Sequence, residues 1–147
     1  MNSKEESQNG AWEKKKLAAA LKEAMASGLV PDLVLEGAVV WRLRHVLLIA
    51  QLRKAVGARE PLYWLIAGEY SATDVVPFKV ATSAKEAAKH FALKWQLGVA
   101  QLLAQPDRQV NGQWIHKKAR ELEQQAEGLY ELAENQALWH DPGSKDP

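Results

Sequence analysis

Two carboxylates and an imidazole, Glu69, Asp74 and His90, are the residues whose types and order best suit chemistry in this chain. Brought together they would hold a hard or borderline divalent ion, or share general acid and base work, since carboxylate oxygens suit such cations and an imidazole titrates near neutral pH. Lys94 follows His90 by one helical turn and would lie beside it on the same face. A structural reading competes. In it Asp74 accepts backbone amides in the Ser71–Asp74 turn, Glu69 is solvated or pairs with Lys94, and His90 is a hydrogen-bonding residue that holds a loop. The three residues lack a ligand-pair spacing of the His-x-x-x-His type, and neither a Gly-x-Ser-x-Gly elbow nor a phosphate-cradling glycine loop occurs. With no Cys there is also no thiol nucleophile, thiolate metal site or disulfide framework. No catalytic residue is assigned, no cofactor is expected, and any metal stays unidentified.

These residues need elements to position them. Ala11–Ser27 carries Leu17, Leu21 and Met25 four apart, which predicts a leading helix stopped by Gly28. Ala38–Leu52 and Leu62–Tyr70 are rich in Val, Ile, Leu, Trp and Tyr and flank a turn at Val56–Pro61, the pattern of a β-hairpin or small antiparallel sheet. Helix is the alternative for Val39–Ala55, where Leu43, Val46, Leu47 and Ala50 would also share a face. Ser71–Pro77 ends the second strand, and Phe78–Val80 reads as a short extended piece beside it. Ser83-Ala-Lys-Glu86 fits a capping box and starts a helix. Ala88, Phe91, Trp95, Gly98 and Leu102 then form a seam, closed by Pro106. A matching seam of Ile115, Ala119, Leu122, Ala126, Leu129 and Ala133, with Asn111 as its cap, makes the two long C-terminal helices an antiparallel helical hairpin. The fold class expected is α+β: residues 1–10 as a flexible tail, residues 11–140 as a single domain, and residues 141–147 as a second tail.

The segment L-Y-W-L-I-A-G-E-Y-S-A-T-D-V-V-P, followed by A-K-E-A-A-K-H-F-A-L-K-W-Q-L, resembles a family of small bacterial proteins known as a domain of unknown function. The shared pattern is a strand ending in G-[DE], a T-D turn, and a helix with H-F-x-L-K-W-Q. Here it falls on Gly68, Glu69, Thr73, Asp74, His90, Phe91, Leu93, Lys94, Trp95 and Gln96, with the closing helix at Ala126–Ala133. The chain departs at Ala72, where Pro is usual, and at Glu69, where Asp is commoner. The resemblance implies a mixed α and β fold and carries no activity, substrate or cofactor.

At 147 residues, 47% of them hydrophobic and 25% charged, the chain has the composition of one globular domain rather than a disordered or polyelectrolyte one. Its net charge of +1 is unevenly spread. Arg42, Arg44, Arg53 and Lys54 make the hairpin region basic, whereas Glu121, Glu123, Glu127, Glu131 and Glu134 make the last helix acidic. Basic residues beside Trp41, Tyr63 and Trp64 suit nucleic acid in principle, but a pI near 8.0 falls short of that class. A polar N-terminus and no long apolar run predict neither signal peptide nor membrane span, hence a cytoplasmic protein. Charge asymmetry favours a protein partner. A non-catalytic interaction module, such as an immunity-type or adaptor protein, therefore leads a small metal-binding protein or enzyme built on Glu69, Asp74 and His90, and a nucleic-acid binder built on the basic hairpin. A small sheet with a strand as apolar as Val46–Leu52 would leave an exposed edge or patch, which a homodimer would cover.

Overall fold

The computed structural model describes residues 3–31, 35–43, 45–57, 60–69 and 71–139, with side chains described from Gly10 onward. The chain is α+β, with three α-helices, a four-stranded antiparallel sheet and a two-stranded one among the described residues. Its contacts divide it into two compact units, Met1–Ala87 and Ala88–Pro147.

The first unit opens with α1, Ser3–Ala26. The helix begins ahead of Ala11, where Lys4–Gln8 are helix-compatible polar residues, and runs on through Asn9 and Gly10. It ends as expected, with Gly28 in the left-handed region at φ 76°. Its buried face centres on Ala20 and Ala24, flanked by the half-buried Trp12, Leu17 and Leu21, while Met25 turns outward.

The strands are β1 (Leu35–Leu43), β2 (Leu47–Lys54), β3 (Tyr63–Gly68) and β4 (Asp74–Pro77), in that spatial order. Helix is therefore not the state of Val39–Ala55, nor is Ala38–Leu52 one strand. It folds back at His45, whose φ of 61° makes the tight turn that hydropathy alone does not reveal. Val46–Leu52, expected at an exposed edge, falls largely in β2 and pairs on both sides, with β1 and with β3. The edges are β1, irregular between Val39 and Trp41, and the short β4, which ends at Pro77; a register break and a proline both discourage further pairing.

One face of the sheet packs with α1 through Leu48, Ala50, Leu52, Leu65, Ala67 and Val75. The alternate residues Leu47, Ile49, Trp64 and Ile66 are buried as well, so Leu47–Ala50 of β2 and Trp64–Ala67 of β3 read as unbroken apolar runs instead of alternating ones. Phe78–Val80, expected to be extended, is a 3-10 turn held by the Trp64 indole, whose Nε1 donates to Phe78 O at 2.9 Å and Ala81 O at 3.2 Å.

Helix α2 spans Ala84–Leu103 and crosses from the first unit into the second. The Ser83 hydroxyl accepts from the Glu86 amide at 3.2 Å, as a capping box requires. The return contact shifts by one residue, because the Glu86 carboxylate accepts from the Thr82 amide at 2.8 Å and its hydroxyl at 2.7 Å. Asn111 is not a helix cap. It shares an Asn-Gly turn with Gly112, at φ 52° and 77°, that joins the short strands β5 (Gln109–Val110) and β6 (Gln113–Trp114). Helix α3, Ile115–Glu134, starts directly after β6, and the Asp107 carboxylate accepts its His116 amide at 3.1 Å.

Ala88, Phe91 and Trp95 of the first seam are buried, as are Ile115, Ala119, Ala126, Leu129 and Ala133 of the second. Lys89 pairs with Glu134 at 3.1 Å, and the His116 Nε2 lies 2.7 Å from Gln105 O. Among the described residues no helix is long and apolar enough to cross a membrane.

Candidate functional site

Glu69 follows the last residue of β3, where its amide donates to Val46 O at 3.0 Å. Gly68 permits that approach. A Cβ on it would stand 2.3 Å from Val46 O and 3.1 Å from Leu47 Cα, so the turn between β1 and β2 passes directly over a position that tolerates no side chain.

The carboxylate of Glu69 is reached from α1 by two residues one turn apart. Trp12 Nε1 donates to Oε1 at 3.4 Å and Lys16 Nζ lies 3.4 Å away. His45 completes the group, its ring edge-on to Trp12 with centroids 5.6 Å apart. The Trp12 hydrogen bond, then the charge and hydrogen bond of Lys16, hold the carboxyl below its ordinary range. Desolvation opposes them weakly, and the nearby His45 adds a small further lowering. Glu69 is thus an exposed, ionised tie between the sheet and α1. It faces Lys16 where the sequence reading paired it with Lys94.

Asp74 occupies the first position of β4 instead of a turn, opposite Ile66, and is buried. Its Oδ1 accepts the amide of Val75 at 2.8 Å, a backbone-holding role of the kind the structural reading assigned it. His90, half-buried, and Lys94, exposed, stand one turn apart on α2 and belong to the second unit, whereas Glu69 and Asp74 belong to the first. Among the described residues no three His, Asp or Glu side chains gather as a metal site.

Two of the four basic residues are matched by acids. Arg42 pairs with Glu13 of α1, and Arg53 Nε donates to Glu36 at 2.7 Å, its neighbour across the β1–β2 ladder. Lys54 is exposed at the end of β2, and Arg44 lies outside the described residues. The positive field expected over this hairpin is correspondingly reduced.

The second unit carries an exposed apolar stripe. Leu93 and Leu97 of α2 are 53% and 58% exposed, and with Ala100 and Ala104 they repeat at spacings of four, three and four, the pattern of a helix-docking seam. Beside this stripe lies a cavity of about 340 Å³ lined by Gln96, Val99, Ala100 and Leu103 of α2 and by Glu123 and Glu127 of α3. Among the described residues neither glutamate side chain has a hydrogen-bond or ion-pair partner. The sequence reading missed this surface because it followed the seam that closes the core and left the opposite face of α2 unread. Leu93, Leu97 and Ala100 were legible there as a second seam on the same helix, with Ala104 next in step just past its end.

A family model described as "Domain of unknown function (DUF4826)" matches residues 6–139. The chain belongs to that family. No curated protein and no solved structure gives a match to this DUF4826 chain. Within the DUF4826 domain, the G-E segment is the close approach of Gly68 to the β1–β2 turn. The H-F-x-L-K-W-Q segment divides between two faces of α2: Phe91 and Trp95 are buried, with ring centroids 6.2 Å apart, while Leu93, Lys94 and Gln96 point outward.

Proposed function

We propose that this DUF4826 chain is a non-catalytic protein-interaction module whose partner docks on α2. The observation that carries the reading is the exposed stripe of Leu93 and Leu97. Each exposes more than half its surface on a helix whose other face already buries Ala88, Phe91, Ala92 and Trp95, so neither is needed to close the core. Two further features support it. Glu69 already holds two donors, and Arg42 and Arg53 already hold acids, which leaves these groups tied to their own fold. The two long helices form an antiparallel helical hairpin in this proposal. Its support is the order of their contacts: Lys89 with Glu134, Gly98 beside Leu122, and Gln105 with His116. Such a hairpin is a rigid platform for a docking face.

Replacing Leu93 and Leu97 together by Glu tests the reading. Stability should change by no more than about 0.5 kcal/mol per site, as for surface positions. Native size exclusion of the source-cell extract should show the wild-type chain in a complex larger than its own 16.4 kDa and the double variant running alone. Equal elution of both proteins would contradict the docking role.

A further inference from the structure

We infer that the partner segment is a basic amphipathic helix, seated in the trough between α2 and α3. The inference rests on the interaction-module reading and adds the chemistry of its partner. The trough has an apolar floor, Val99, Ala100 and Leu103, and an acidic wall, Glu123 and Glu127. A volume of about 340 Å³ is at the small end for a drug-sized ligand and suits a few inserted side chains.

Charge selects the sign of the occupant. From Glu121 to Glu134 α3 has five glutamates and no lysine or arginine. Only Glu134 of these has an ion-pair partner among the described residues, namely Lys89. The basic residues of α3, Lys117, Lys118 and Arg120, all precede this stretch. Glu123 and Glu127 stand four apart on α3, a spacing at which like charges repel, and a cation placed against them relieves that repulsion. Leucine-type residues on the same partner helix, spaced three and four apart, would meet the floor and the adjoining Leu93–Leu97 stripe.

The probe is a helical peptide of about five turns made of Leu and Lys, with Leu along one face, compared with its Glu-for-Lys counterpart by isothermal calorimetry. The wild-type protein should bind the Lys peptide, more weakly as salt rises, and should bind the Glu peptide about tenfold less tightly. In the variant Glu123→Lys with Glu127→Lys the preference should invert. Ala100→Trp, which fills the floor from an exposed position, should lose both peptides while its circular dichroism stays native. The inference is overturned if the two peptides bind alike, if the charge reversal leaves the preference unchanged, if Ala100→Trp binds as the wild type does, or if neither peptide binds. Failure here, together with loss of the native complex on Leu93 and Leu97 substitution, would reject the basic helix and leave the module reading standing.

Discussion

Replacing Trp64 by Ala lowers the unfolding free energy by about 3 to 5 kcal/mol, the range for truncating a fully buried large aromatic. Only 1% of Trp64 is exposed. Its ring stacks on Phe78 with centroids 5.0 Å apart, and its Nε1 ties β3 to the carbonyls of Phe78 and Ala81. The substitution therefore removes core volume and strands two carbonyl groups at the turn that leads into α2. Trp64→Phe separates the contributions: it keeps most of the volume and loses the donor, so about 1 to 3 kcal/mol should go. Urea denaturation followed by circular dichroism reads both values. A loss below about 1 kcal/mol for the Ala variant would mean that this ring does not organise the sheet.

Gly68→Ala is the second large effect, at about 3 kcal/mol, the upper end for overpacking. The added methyl would meet Val46 O and Leu47 Cα, and both are backbone atoms that cannot rotate away. Relief requires the β1–β2 turn to lift, which stretches the bond from the Glu69 amide to Val46 O and draws Glu69 off Trp12 and Lys16. The Glu69 amide and the Trp12 indole resonances should move together in NMR spectra. Gly98→Ala is the matched control. A Cβ there meets only Leu122 Cδ2 at 3.8 Å, and alanine favours helix over glycine, so stability should rise by about 0.5 to 1 kcal/mol. Equal tolerance at both positions would refute the close-approach account of Gly68.

How far the sequence reveals this molecule depends on which forces act locally. The Ser83 box, the stop at Gly28 and the buried positions of α2 and α3 are local in origin, set by capping groups and by apolar spacing, and they are legible. The fold-back at His45 was hidden because a non-glycine residue in the left-handed region carries no strong sequence mark, and because β2 is buried on both faces and loses its alternation. Asn111 misled in the other direction: Asn-Gly signals a hairpin turn more strongly than a helix cap, and the cap role passes to Asp107. For the candidate site, Glu69 was legible as a strand-end carboxylate. Its partners Trp12 and Lys16 come from a helix more than fifty positions earlier, a tertiary contact that spacing cannot encode. The α2 surface went unread because two seams share one helix, and only burial tells which of them is spare.

The docking role of α2 is tested most directly by placing a photo-crosslinking amino acid at Leu97 in the living source cell, with a matched probe at the exposed Gln124 of α3 as reference. The account predicts a discrete adduct with one protein from position 97, attached through a segment bearing both lysine or arginine and leucine-type residues, and none from position 124. The same adducts from both positions, or no adduct from position 97, would contradict it.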